Sequence, residues 1–122
     1  IFKTVSSRAL ALSLDPSHLV WLQIGPVPDV IRRFGERICH MEAKDAEISY
    51  TRLASQGILG NSWWRYRLPG FGAIDWAATI SALMDIGYDY SIDIENEDPV
   101  FPGLTGVLLA RNHLMRFLEP RR

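Results

Sequence analysis

With a single cysteine, Cys39, in 122 residues, the chain has no means of forming an internal disulfide, and one thiol suits a reducing cytosol. Composition alone makes Cys39 a small buried apolar side chain. The sequence also lacks any apolar run near the ~18 residues that span a bilayer. Its start, Ile1-Phe2-Lys3-Thr4, lacks the basic, apolar, small-residue order of a secretory signal. A soluble, cytoplasmic chain with no membrane partner is expected. An excess of charge is missing too. The 13 basic and 14 acidic residues are interspersed and sum to a net charge of -1, which leaves no basic surface for a nucleic acid. Repeats, low-complexity stretches and an initiator methionine are all absent, and a first residue of isoleucine reads as the cut edge of a longer polypeptide. What remains is a globular composition, 48% hydrophobic and 22% charged, sufficient for one domain or a piece of one.

Periodicity organises that composition into alternating elements. Arg8 to Asp15 is a short apolar run closed by Asp15-Pro16-Ser17, the pattern of a buried strand entering a turn. Val27, Val30, Ile31 and Phe34 follow at helical spacing. Arg37 to Asp45 is strand-like, and period-two alternation sets His40, Glu42 and Lys44 against Cys39, Met41 and Ala43. Residues 46–74 show no sustained period and read as a long loop of the kind used for lids and binding surfaces. Asp75 is placed to cap a helix whose apolar residues Trp76, Ile80, Leu83 and Met84 share a face, with Gly87 as its stop. Tyr90 to Glu97 alternates again, with Ile92 and Ile94 opposed to Ser91, Asp93, Glu95 and Glu97. A final helix runs from about Gly103 to Leu118, with Leu104, Val107, Leu108, Leu114, Met115 and Leu118 as its apolar positions and His113 on its solvated side.

Strand, helix, strand, helix, strand, helix is the order of parallel strands joined by crossovers. Function in such sheets collects at the carboxyl ends of the strands. Every strand here brings charged residues to that end: Asp15 and His18; His40, Glu42, Lys44 and Asp45; Glu95, Glu97 and Asp98. Taken alone, Asp15 and His18 serve equally well as turn and cap residues. Glu42 and Glu95 serve equally well in ion pairs with Lys44 or an arginine. His40 fits a hydrogen-bonded interior position behind Glu42.

The segments Leu14-Asp15-Pro16-Ser17-His18-Leu19, Cys39-His40-Met41-Glu42-Ala43-Lys44-Asp45, Trp63-Trp64-Arg65-Tyr66-Arg67-Leu68-Pro69-Gly70 and Ile94-Glu95-Asn96-Glu97-Asp98-Pro99 together resemble the sugar phosphate isomerase/epimerase family, the xylose-isomerase-like TIM barrel group. The resemblance runs in order along nearly the whole chain. It implies an α/β fold comprising the C-terminal strand-helix units of a (β/α)8 barrel, from about the sixth strand to the eighth helix, over residues 1–122. It also implies a divalent metal, Mn²⁺ or Mg²⁺, held by Asp15, Glu42 and Glu95. The family's seventh strand usually reads His-x-His-x-Lys-Asp with its second histidine on the metal, and here Glu42 stands at that position. Oxygen donors favour the harder cations. Asn96 replaces a common histidine, and Asp93 a small residue.

The implied activity is isomerisation or epimerisation of a sugar or sugar phosphate by proton transfer beside a carbonyl through an enediolate, with Glu95 as a catalytic acid/base. His18 and Lys44 are expected to contact substrate, Arg65 and Arg67 to bind an anionic substituent, and Trp63 or Trp64 to cover the sugar's apolar face. The alternative for the Trp-Trp-Arg-Tyr-Arg cluster is loop packing or a subunit contact. Two other functions fit the same fold. One is a catalytically degenerate sugar-binding or assembly barrel, and the other a metal-dependent DNA-repair endonuclease, which three histidines and near-neutral charge disfavour. Three units cannot close a barrel. The chain is therefore expected to be inactive alone and to associate with the missing N-terminal half or with another copy.

Overall fold

The computed structural model describes residues 1–118. Its main sheet has three parallel strands: β1 (Leu12–Leu14) and β5 (Ile92–Ile94) flank β2 (Ile38–Ala43). Both flanking strands are shorter than the apolar runs that contain them, because pairing persists only where a neighbour lies alongside. α1 (Pro16–Trp21) and α2 (Val27–Phe34) connect β1 to β2, α4 (Trp76–Asp85) precedes β5, and α5 (Gly103–Leu118) follows it. The core lies on one face of the sheet, where Leu14, Ile38, Met41 and Ala43 pack against Val27 and Ile31 of α2, Trp76, Ile80 and Leu83 of α4, and Leu114 of α5. Ser13, Glu42, His40 and Asp93 meet on the other face: the Ser13 hydroxyl donates to Glu42 Oε1 at 3.3 Å, and His40 Nε2 stands 3.8 Å from Asp93 Oδ2. His40 is thus half-exposed and makes no close hydrogen bond, unlike the interior position expected for it.

Strict alternation fails at Cys39. Leu12 pairs with Ile38 and Ser13 with His40, so Cys39 is an extra residue on β2, a bulge. Ile38 and Met41 can then both face the core although they are three residues apart. Cys39 is turned out to solvent, which overturns its expected burial. The bulge also sets the phase of everything downstream, placing Glu42 with Ser13 and Asp93 on the uncovered face.

Residues 46–74, expected as a loop, contain regular structure. β3 (Asp45–Ile48) and β4 (Trp64–Arg67) pair antiparallel, with α3 (Tyr50–Gln56) between them. The four-residue strands are too short to announce themselves by period. Asp45 anchors the segment. Fully buried, it accepts from the Ala46, Ile74 and Gly70 amides and, at 2.9 Å, from Trp76 Nε1. Burial lifts its carboxyl above the ordinary range against the pull of those donors. Gly72 is required beside it, since a Cβ there would lie 2.2 Å from Asp45 Oδ1.

Asp75 caps α4 as expected, its side chain accepting from the Ala78 amide at 2.9 Å. Met84 departs from the expected face and is exposed. α5 departs further. Its buried positions are Gly106, Ala110 and Leu114, one stripe at spacing four, whereas Leu104, Leu108 and Leu118 are exposed. Close approach explains the choice of small residues, because a Cβ on Gly106 would lie 2.1 Å from the Phe101 carbonyl oxygen. His113, expected on the solvated side, packs against the Gly70 turn and Phe117 instead.

Candidate metal centre

Asp15, Glu42 and Glu95 come from the ends of three adjacent parallel strands. Each offers one carboxylate oxygen, and these oxygens lie within 4.8 Å of one another. The local chain explains each placement. Asp15 is the N-cap of α1, and its Oδ1 accepts from the Ser17 amide at 2.8 Å and the Ser17 hydroxyl at 2.6 Å. That bonding turns Oδ2 inward. Glu42 is positioned by the β2 bulge, and Glu95 follows the last residue of β5.

Lys44 sits beneath the cluster with its side chain 5% exposed, its ammonium 3.0 Å from Asp15 Oδ2, 2.8 Å from Glu95 Oε2 and 2.9 Å from Glu97 Oε2. Burial pulls its pKa down, but the Glu95, Glu97 and Asp15 carboxylates outweigh burial and hold it above the usual lysine value. Glu42 and Glu95 split in opposite directions. Burial, followed by the neighbouring Glu95 and Asp15 carboxylates, raises Glu42, whereas the Lys44 ammonium lowers Glu95. Of the two carboxyls, Glu42 is therefore the more readily protonated.

A divalent cation suits these residues on two grounds. The first is charge: Asp15, Glu42, Glu95 and Glu97 face one ammonium, a strongly anionic surplus. The second is the donor set itself, three carboxylate oxygens from three strand ends within 4.8 Å of one another. All-oxygen donors match Mn²⁺ or Mg²⁺.

An aromatic wall borders the cluster. Trp21 and Trp64 stack at 4.8 Å with planes 10° apart, Tyr66 meets Trp64 edge-on, and the Tyr66 ring lies 4.4 Å from Lys44 Nζ. His18, exposed on α1, reaches the Tyr66 hydroxyl at 3.3 Å. Of the residues expected to touch substrate, His18, Lys44 and Trp64 are thus gathered here. Arg65 and Arg67 are not. Alternation along β4 turns them to the opposite face from Trp64 and Tyr66, where Arg65 bonds Glu47 and Arg67 bonds both Glu47 and the buried Asp98. Trp63 is also elsewhere, 1% exposed with its indole donating to the Ile58 carbonyl. Tyr66, Trp21 and Glu97 were missed as site residues. Glu97 shares the Glu95 alternation, and Tyr66 shares that of Trp64, so both were recoverable; Trp21 depended on the unforeseen α1.

A family model described as Xylose isomerase-like TIM barrel matches residues 1–117. An uncharacterized protein of Bacillus subtilis (strain 168), YfiH, is 31% identical over 99 residues, a match covering 73% of this chain and 31% of YfiH. Among solved structures, a xylose isomerase domain protein from Planctomyces limnophilus is similar with a TM-score of 0.72 at 20% identity, over 96% of this chain and 42% of that one. The chain thus spans less than half the length of either protein.

Proposed function

Because the chain belongs to the xylose isomerase-like TIM barrel family, we propose that its three parallel strands are the sixth, seventh and eighth of a barrel and carry most of the metal centre of a sugar or sugar phosphate isomerase or epimerase. The observation that carries this reading is the convergence of Asp15, Glu42 and Glu95 from three strand ends to within 4.8 Å. Ion pairing accounts for one such carboxylate more readily than for three. A divalent cation bound there would polarise adjacent substrate oxygens and stabilise negative charge beside the carbonyl. Glu95, whose Oε2 is held by Lys44, would act as the acid/base toward the substrate carbon. His18 faces the same space and donates to, or accepts from, a sugar hydroxyl, while the Trp21, Trp64 and Tyr66 wall covers an apolar sugar face. The return of a proton on the opposite face falls to a residue on the barrel's earlier strands.

The test is solvent deuterium incorporation at the carbon next to the carbonyl, followed by NMR over a panel of sugars with Mn²⁺ present and the complete barrel assembled. Exchange with at least one sugar is expected, and its loss in Glu95→Gln. No exchange with any sugar would count against catalysis.

One observation favours a second reading, a barrel that binds sugar or a partner without catalysis. Lys44 already places a cation against Asp15 and Glu95, and Glu42 stands where the family resemblance puts a histidine ligand. Metal analysis separates the two. Stoichiometric Mn²⁺ in the wild type, lost in Glu95→Ala, supports the metal centre, whereas a metal-free wild type supports the scaffold.

A further inference from the structure

A second polar cavity, of about 450 Å³, opens on the arginine face of the hairpin between β4 and α3, bordered by Glu47, Ser49, Arg52, Ser62, Trp64 and Arg65. Neither Asp15, Glu42 nor Glu95 lines it. The charges around it do not balance. Arg52 and Arg65 face the cavity, and the one carboxylate, Glu47, is already engaged: its Oε2 accepts from Arg65 Nε at 2.9 Å, Arg65 Nη2 at 2.8 Å and Arg67 Nη1. Those bonds pull the Glu47 carboxyl below its usual range.

The cationic groups are also held in place. Arg52 Nη1 donates to the Ser62 carbonyl at 2.9 Å, and Ser62 adopts φ 61°, a left-handed conformation uncommon for a residue other than glycine, to present that carbonyl. Among the described residues the remaining Arg52 nitrogens and the Ser49 and Ser62 hydroxyls make no hydrogen bond. The result is a cavity rich in oriented donors and poor in free acceptors, of the volume of small-molecule sites.

We infer that this cavity is an oxyanion site, taking a phosphate or carboxylate, free or carried on a body of monosaccharide size, between Arg52 and Arg65. The site is independent of the metal reading, since none of Asp15, Glu42, Lys44, Glu95 and Glu97 lines it and Trp64 alone borders both. It differs from the sequence expectation in its members: Arg52 takes the place of Arg67, whose guanidinium is bound by Asp98 and Glu47.

The inference is tested by titrating the ¹⁵N-labelled full chain with inorganic phosphate, a hexose 6-phosphate, a hexuronate and a neutral hexose at constant ionic strength. Saturable shifts of the Ser49, Arg52, Ser62 and Arg65 signals are expected with phosphate or an anionic sugar and none with the neutral hexose. Tighter binding of a sugar-borne anion than of phosphate would identify a sugar-borne ligand, and equal affinity a free ion. Arg52→Gln, an exposed change that leaves the Glu47 pairs intact, should weaken binding about tenfold, the worth of one charge-assisted hydrogen bond. Arg111→Gln and Glu95→Ala should not weaken it. Absence of saturable shifts with every anion, full affinity in Arg52→Gln, or equal weakening by Arg111→Gln would each overturn the assignment.

Discussion

Arg67 shows how a residue's role follows from what it touches. Its side chain is 11% exposed, and its Nε donates at 2.8 Å to an Asp98 side chain that is 0% exposed. Removing one member of such a pair leaves the other charge buried, so Arg67→Met should destabilise the fold by about 3 kcal/mol at neutral pH. Burial raises Asp98, but Arg67 and the Leu68 and Val100 amides outweigh it, and Glu47 is lowered by Arg65 and then Arg67. Carboxylates depressed in the folded state contribute stability above their unfolded values and lose it as the pH falls through the folded ones. The difference between wild type and Arg67→Met should therefore be largest near neutrality and shrink below the ordinary carboxylate range, as read from urea unfolding across pH. Gly72→Ala tests close approach in the same segment. With its Cβ forced to 2.2 Å from Asp45 Oδ1, it should lower the unfolding midpoint well below that of the wild type. Asp15, Glu42 and Glu95 were nameable from the sequence because the family resemblance singled them out among the acids at the strand ends. The fates of Arg65 and Arg67 were not, since they depend on a β4 phase that four residues do not reveal.

At the scale of elements, the hairpin joins the aromatic wall to the rest of the fold. Trp21 of α1 and Trp64 of β4 stack across two elements, so a double-mutant cycle of Trp21→Ala and Trp64→Ala should return a coupling of about 1 kcal/mol beyond the lost area. Absence of coupling would mean that the hairpin is not docked on α1 in solution. The cap of α4 is a simpler case. Asp75→Ala should cost about 1 kcal/mol in chemical denaturation, because the Ala78 amide loses its acceptor. Helical spacing made α2, α4 and α5 legible, since two or more turns repeat a pattern often enough to be recognised. The facing side of α5 was misjudged. Its sequence has more leucines than one stripe needs, and only the close approach at Gly106 shows which stripe meets the sheet.

At the scale of the whole molecule, one face and two edges of the sheet are left uncovered. Among the described residues β1 and β5 each pair on one side only, and an apolar groove of about 560 Å³ runs beside β1, lined by Phe2, Leu12, Leu14, Leu19, Ile24 and Val30. Unpaired edges and exposed apolar surface favour association. In sedimentation the chain by itself is expected to form species heavier than 13.8 kDa, and a monodisperse monomer would contradict this. No helix among the described residues is long and apolar enough to cross a membrane, in keeping with the absence of long apolar runs. The sequence by itself determined the α/β order and the acids at the strand ends, which rest on local period and on residue type at short spacing, and its motif segments carried the family resemblance. Tertiary structure alone decided that Glu97 joins the carboxylates, that Cys39 faces solvent, and that Tyr66 and Trp21 rather than Arg67 stand beside them. Those outcomes depend on a one-residue bulge and on the pairing of two four-residue strands, and a shift of one residue in either would send every following side chain to the other face.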